Sequence, residues 1–178
     1  MPGRSALLLI DFQHDFLARD GRMPIASDQL EPLIAGANRA IAEARSRGIP
    51  IVAVGNEFDP NDRIMNVLRR GAAIAGTPGA AWDPRVPTDG ARYFPKTRGD
   101  AFSNDAFRRH LVDELGVDDV LLAGVYAKAC IAATARGARR AGLRVTVLED
   151  AVADASDALK ANALRKLAAV PGISVARA

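Results

Sequence analysis

The chain has one cysteine, two histidines, nine aromatic residues and almost no excess of either charge. A single cysteine excludes an intramolecular disulfide and any zinc cluster built on several thiolates. Two histidines, His14 and His110, are few for a transition-metal centre. The aromatics do not interleave with a basic stripe, so a base-stacking surface and a nucleic-acid partner are not expected. The 24 basic and 21 acidic residues leave a net charge of +3. The basic ones fall as singles and pairs, among them Arg69-Arg70, Arg108-Arg109 and Arg139-Arg140, which is the pattern of solvated helix faces. No apolar stretch approaches the roughly 18–20 residues that cross a bilayer. The run Ala6 to Ile10 ends at Asp11 and is too short for a signal-peptide core, so a cytoplasmic protein without a membrane partner is expected.

What is present is 178 residues, 49% apolar and 25% charged, enough for one domain over 1–178 with one sizeable core. Ser5–Ile10 reads as a buried strand, apolar without alternation. Residues 28–47 read as a helix, with Leu30, Leu33, Ile34, Ala37, Ile41 and Ala44 on one face, Ser27 or Asp28 as cap and Gly48 as stop. Pro50–Gly55 is a second apolar strand. Asn61–Arg70 is expected as a short helix with Ile64, Val67 and Leu68 inward. Residues 72–90, rich in Pro and Gly and holding Trp82, read as a long irregular excursion. Then come an extended segment Arg92–Pro95, a helix Asn104–Leu115, a strand Asp119–Val125, a helix Ala129–Ala141 and a strand Leu143–Leu148. A helix Asp157–Ala169 and a strand Gly172–Val175 close the pattern. Unbroken apolar strands alternating with helices predict an α/β fold, a three-layer α/β/α sandwich on a mostly parallel, Rossmann-like sheet.

In such a sheet, ligands bind beyond the carboxyl ends of the strands. The residues there are Asp11, then Asn56, Glu57 and Asp59, then Lys96, then Cys130 at the start of a helix. A lone cysteine is by default a small buried hydrophobe. At a helix N-terminus beside a lysine, however, its thiolate is favoured, and a nearby carboxylate can act as its base. Carboxylate, ammonium and thiol make a plausible acyl-transfer set.

Leu9-Ile10-Asp11-Phe12-Gln13, Lys96 ahead of Ala101-Phe102, and Gly124-Val125 followed by Cys130 and Thr134 resemble, in order and over nearly the whole chain, the isochorismatase-like cysteine hydrolases. The resemblance implies about six strands and a catalytic triad of Asp11, Lys96 and Cys130. It also implies a cis peptide at Val125-Tyr126 and an oxyanion hole from the N–H groups of Tyr126 and Cys130. Two departures matter. The nicotinamidases of the family carry an Asp-x-His metal motif, whereas the matching stretch here is Asn56-Glu57-Phe58-Asp59-Pro60; a transition metal is therefore not expected, a hard oxygen-ligand site from Glu57, Asp59 and Asp62 is the minor alternative, and no cofactor is expected. The isochorismatases proper share Gly-Val-Tyr-Ala at Gly124–Ala127 but have glycine where Cys130 stands.

The thiol decides the expectation: a cysteine amidohydrolase cleaving the C–N bond of a small amide or ureido substrate through a thioester. The rivals are vinyl-ether hydrolysis with Asp11 as acid, a non-catalytic scaffold, and a redox-sensing thiol. Gln13, Phe16, Asn56, Glu57, Trp82 and Tyr126 are candidate substrate contacts. Arg69 and Arg98 are candidate carboxylate contacts, more simply read as solvated. The resemblance further implies a homo-oligomer, a dimer or tetramer, with Glu57–Gly71 and the helix after Cys130 as candidate contact surfaces.

Overall fold

The computed structural model describes residues 4–178. Six parallel strands form one sheet in the order β3-β2-β1-β4-β5-β6. They are β1 (Ser5–Ile10), β2 (Ile51–Asn56), β3 (Arg92–Lys96), β4 (Asp119–Val125), β5 (Arg144–Ala153) and β6 (Ile173–Ala176). The chain steps outward one way to β3, then returns past β1 and steps the other way. With right-handed crossovers, this puts α1 (His14–Leu17), α2 (Leu30–Ser46) and the 57–91 excursion with α3 (Arg63–Leu68) on one face. It puts α4 (Asp105–Arg109), α5 (Ala132–Arg140) and α6 (Asp157–Ala168) on the other.

The unbroken apolar strands follow from this layering. Along β1, Ala6, Leu8 and Ile10 enter the core shared with Phe107, Leu111 and Ala135, while Leu7 and Leu9 enter the core shared with Leu33, Ile41 and Val125. Both faces of the strand are therefore dry, and neither alternation nor a polar face survives.

Helix α2 buries Leu33, Ile34, Ala37, Ala40, Ile41 and Ala44 at helical spacing, and Gly48 at φ 63° ends it. Neither Ser27 nor Asp28 caps it. The pair starts a 3₁₀ turn, and Gln29 stands at the cap position without a side-chain cap bond. Strand β3 runs to Lys96 on the sheet edge, where Pro95 costs no ladder bond. Strand β5 continues five residues past the expected Leu148, through Glu149 and Asp150, with a register shift against β4 between Leu122 and Gly124. Asn104–Leu115 divides into α4 and a wider π-type turn, His110–Glu114. A second such turn, Ala127–Ile131, precedes α5.

The expectation that fails is the orientation of α3. Ile64, Val67 and Leu68 face solvent, at 78%, 78% and 71% exposure. Polar anchors turn this helix. The Asp62 carboxylate accepts from the Met65 N–H, and the buried Asn66 amide donates to the Asp59 carbonyl. The Gly71 N–H closes onto the Asn66 carbonyl. With Asn66 held inward, the apolar stripe can only point out.

Two glycines are fixed by close approach. Gly124 has φ 131°, and a Cβ there would lie 1.9 Å from the Ile10 carbonyl oxygen, so β1 and β4 could not meet at the switch of strand order. A Cβ on Gly36 of α2 would lie 2.0 Å from the Asp150 carbonyl oxygen on β5. Glycine to alanine inside a helix ordinarily gains up to about 1 kcal/mol. Here Gly36→Ala must push α2 off the sheet, with a net loss of about 1–3 kcal/mol. Thermal melting should show Tm lowered by about 3–10 °C; an unchanged or higher Tm contradicts this contact.

Candidate active site

Four neighbouring strands each deliver one side chain to the same point. Asp11 follows β1, Asn56 ends β2, Lys96 ends β3, and Cys130 lies in the turn after β4. Asp11 has a left-handed backbone at φ 58°, a conformation that a short polar residue tolerates better than most. Its N–H donates to the Val54 carbonyl and its carbonyl accepts from the Gln13 N–H, both at 2.8 Å, so the turn is held on both sides.

The Lys96 side chain is fully buried. Its ammonium donates to Asp11 Oδ2 at 2.9 Å, to Asn56 Oδ1 at 2.7 Å and to Cys130 Sγ at 3.5 Å. An ammonium has three protons, and each has an acceptor here. Asn56 Nδ2 points at the same sulfur at 3.9 Å. The other carboxylate oxygen, Asp11 Oδ1, is buried with no hydrogen-bond partner among the described residues. An orphaned acceptor costs about 1–3 kcal/mol, and such a cost is met most often where the atom has chemistry to do.

Burial raises the Asp11 carboxyl above its ordinary range, with the Lys96 ammonium pulling the other way. Burial also works against the Lys96 charge, but Asp11 and then Cys130 outweigh it and hold the lysine protonated. The ammonium therefore stands beside a carboxyl group that burial makes more basic than an exposed one. The thiol departs from the sequence expectation. Burial, then the Asp11 charge, push Cys130 up to about 12 against the pull of Lys96. The resting sulfur is a thiol, because removing it from water and placing it beside an anion cost more than the helix terminus and the ammonium return.

The Val125-Tyr126 peptide is cis. Beyond it, the N–H groups of Ala129 and Ile131 both donate to the Tyr126 carbonyl. The Lys128 N–H donates to Asp154 Oδ2 at 2.8 Å. Asp154 is fully buried and also accepts from the Ala155 N–H, while its own N–H donates to Gln29 Oε1. It ties the cysteine turn to the end of β5. The sequence reading stopped β5 at Leu148 and so passed over Asp154. A carboxylate six residues beyond an apolar run gives little signal. Thr134 Oγ1 accepts from the Ala101 N–H and ties α5 to the loop after Lys96.

The candidate substrate contacts separate into groups. Gln13 is fully buried with its amide occupied. Nε2 donates to the carbonyls of Asn56 and Ala80, and Oε1 accepts from the Asn56 N–H, all at 2.8 Å. It braces Asn56 and has nothing left for a substrate. Phe16 is buried edge-on to Tyr126, with ring centroids 5.7 Å apart, and the Tyr126 hydroxyl donates to the Met23 carbonyl. Glu57 accepts from the Tyr93 hydroxyl at 2.8 Å. Glu57, Trp82 and Tyr93 line a cavity of about 340 Å³ with Ala53, Thr88 and Ala91. Tyr126 lines a different cavity, of about 460 Å³, with Met23, Leu68, Arg70 and Lys128. Arg69 lies over the Phe58 ring, 3.8 Å from its centroid, and Arg98 is exposed. Asp59 and Asp62 are engaged locally, with Asn61 and as the α3 cap. Among the described residues, no three His, Cys, Asp or Glu side chains converge.

Comparison with known proteins shows the family. The isochorismatase domain model matches residues 5–176. The chain belongs to the isochorismatase-like hydrolase family. It is 26% identical over 159 residues to the ureidoacrylate amidohydrolase of Pseudomonas syringae, a match covering 76% of this chain and 64% of that protein, so the chain spans under two thirds of that relative. It is 31% identical over 163 residues to an Arabidopsis thaliana protein named a "probable inactive nicotinamidase", covering 85% and 82%. Among solved structures, the N-carbamoylsarcosine amidase of Thermoplasma acidophilum superposes with a TM-score of 0.81 at 26% identity, covering 98% of this chain and 96% of that one. No helix among the described residues is long and apolar enough to cross a membrane.

The raised thiol has a direct signature. Alkylation of Cys130 by iodoacetamide should keep rising about tenfold per pH unit from about pH 7 to about pH 10, where a free cysteine levels off near its pKa of about 8.5. A plateau below about pH 8 contradicts a buried neutral thiol.

Proposed function

We propose that the protein is a metal-independent cysteine amidohydrolase that cleaves the C–N bond of a small amide or ureido substrate through a thioester. The observation that carries this reading is the Lys96 ammonium joining Asp11, Asn56 and Cys130 while Asp11 Oδ1 is left without a donor. A free basic oxygen beside a neutral thiol is the arrangement in which a nucleophile is activated at the moment of attack rather than beforehand.

The atoms balance as follows. Asp11 takes the S–H proton as Cys130 Sγ bonds to the carbonyl carbon, and the oxyanion so formed rests on the N–H groups of Tyr126 and Cys130. Collapse breaks the C–N bond, and Asp11 delivers its proton to the departing nitrogen. Water then enters and Asp11 removes a proton from it. The oxygen bonds to the thioester carbon, and the C–S bond breaks with the proton returning to sulfur. One amide and one water become one carboxylic acid and one amine or ammonia. Lys96 stays protonated, holds the carboxylate in line and offsets charge that develops on sulfur. The carboxylates of Glu57, Asp59 and Asp62 are engaged with their own neighbours, which supports a reaction run by these side chains alone. The names of the Pseudomonas amidohydrolase and the Thermoplasma amidase support the same bond type.

Release of ammonia or amine from a panel of primary amides and ureido acids tests this. Cys130→Ala should lower kcat by about 10⁴-fold or more, with the fold intact by circular dichroism. Equal release from both forms would show that Cys130 is not the nucleophile and would contradict the thioester route. The pH profile has a defined sign. Asp11 must be deprotonated to act and burial raises it, so kcat/KM should fall as pH drops through a value above the ordinary carboxylate pKa of about 4. An acid limb at or below about 4 contradicts the buried base.

A further inference from the structure

Two aromatic rings at the β3 edge make a corner that the reaction above does not use. Tyr93 lies on β3 and Trp82 in the 57–91 excursion, with ring centroids 6.3 Å apart and planes at 85°. With Glu57, Thr88 and three alanines they line a cavity of about 340 Å³, the size of a small-molecule site. Tyr93 is a large aromatic left 41% exposed on an edge strand, yet its hydroxyl is engaged, donating to Glu57 Oε1 at 2.8 Å. The Trp82 indole N–H is engaged as well, with the Val86 carbonyl at 2.8 Å. Both rings are thus held from their edges.

Glu57 is the one charged residue of the lining, and its carboxylate has no cationic partner among the described residues. The cations on the flanking segments are engaged elsewhere. Arg45 donates to the Asp89 carbonyl at 3.2 Å and stands 3.7 Å from its carboxylate. Arg85 pairs with Asp83 at 2.7 Å. Arg92 lies over the Phe94 ring and donates to Glu114 at 3.0 Å. Ring faces and a carboxylate both attract a cation and repel an anion. The cleft backs onto the active site without opening into it. Gln13 Nε2 donates to the Ala80 carbonyl on one side and to the Asn56 carbonyl on the other. A Cβ on Gly55 would lie 2.5 Å from the Tyr93 hydroxyl and 3.1 Å from Gln13 Cδ. None of Asp11, Asn56, Lys96 and Cys130 lines the cleft, so a ligand there is not placed for attack by the thiol.

We propose that this cleft is a second ligand site, distinct from the triad, that takes a short primary alkylammonium. The ammonium donates to the Glu57 carboxylate and the Thr88 hydroxyl, and its alkyl chain lies against the Trp82 and Tyr93 rings. A primary ammonium carries three donors and no acceptor, which matches a lining of acceptors and ring faces, and its bond to a carboxylate is charge-assisted. A neutral alcohol of the same length keeps the apolar contact and loses the charge. A carboxylate of the same length meets Glu57 as a like charge. The claim concerns binding alone and stands apart from the amidohydrolase reading.

Trp82 is the only tryptophan, so indole fluorescence reports this cleft. The full chain is titrated with n-butylammonium at pH 7, where an amine with a pKa near the lysine value of about 10.4 is charged. Ionic strength is held constant, and 1-butanol and butyrate are the neutral and anionic counterparts. Calorimetric titration of the same pairs keeps a silent indole from being mistaken for an empty cleft. The expected result is saturable binding of n-butylammonium with Kd about 1–10 mM, the range that five non-hydrogen atoms support. Binding of 1-butanol should be at least about fivefold weaker, and butyrate should not saturate. Glu57→Gln, which keeps an acceptor for the Tyr93 hydroxyl, should weaken n-butylammonium at least about fivefold and leave 1-butanol unchanged. Tyr93→Leu, which removes one wall, should weaken both. Circular dichroism checks that each variant is folded. No saturable binding up to about 50 mM by either readout, equal affinity for 1-butanol, or an affinity unmoved by both substitutions overturns the proposal.

Discussion

The structure turns on one buried ammonium. Lys96 has no exposure and three acceptors, from three different strand ends. Taking a lysine and an aspartate out of water costs several kcal/mol per ion, and only near-complete hydrogen bonding offsets it. Removing either partner would leave a lone buried charge, at a cost of about 3–5 kcal/mol. The pair is therefore a poor device for stability and a good one for geometry. It holds a carboxylate with one oxygen engaged and the other free, next to a thiol.

Everything that positions this ammonium is a consequence of strand order. Reading across the sheet as β3-β2-β1-β4-β5, the carboxyl ends supply Lys96, Asn56, Asp11, the cysteine turn and Asp154. Four of these meet directly, and the fifth holds the turn from behind through the Lys128 N–H. The chain reverses its direction of travel between β1 and β4, which opens a crevice there. Gly124 allows the two strands to approach at that point. Gln13 then locks the backbone of Asn56 from the far side. The dry, rigid floor that results also explains the chemistry. Burial makes Asp11 a stronger base and Cys130 a weaker acid, so proton transfer waits for the substrate.

Much of this was legible in the sequence. Five-residue apolar runs without alternation are dry on both faces, so a parallel sheet followed from them, and the first polar residue after each run was a sound guide to Asp11, Asn56 and Lys96. What could not be read were properties set by several elements at once. The protonation of Cys130 depends on burial and on a charge 119 positions away in the chain. The role of Gln13 depends on the backbone of β2. The outward face of α3 depends on Asn66, whose inward anchoring outweighs an apolar stripe of three side chains on a six-residue helix. The extension of β5 through Glu149 and Asp150 hid Asp154, because charged residues ordinarily mark the end of a buried strand.

The central claim is that the acyl group passes through Cys130. Partitioning to hydroxylamine tests it most directly. Several amides with one acyl group and different leaving amines are hydrolysed in the presence of hydroxylamine, and the ratio of hydroxamate to free acid is measured. A shared thioester predicts one ratio for all leaving amines, and no hydroxamate from Cys130→Ala. Consumption of the amides without hydroxamate, or a ratio that changes with the leaving amine, would contradict the account.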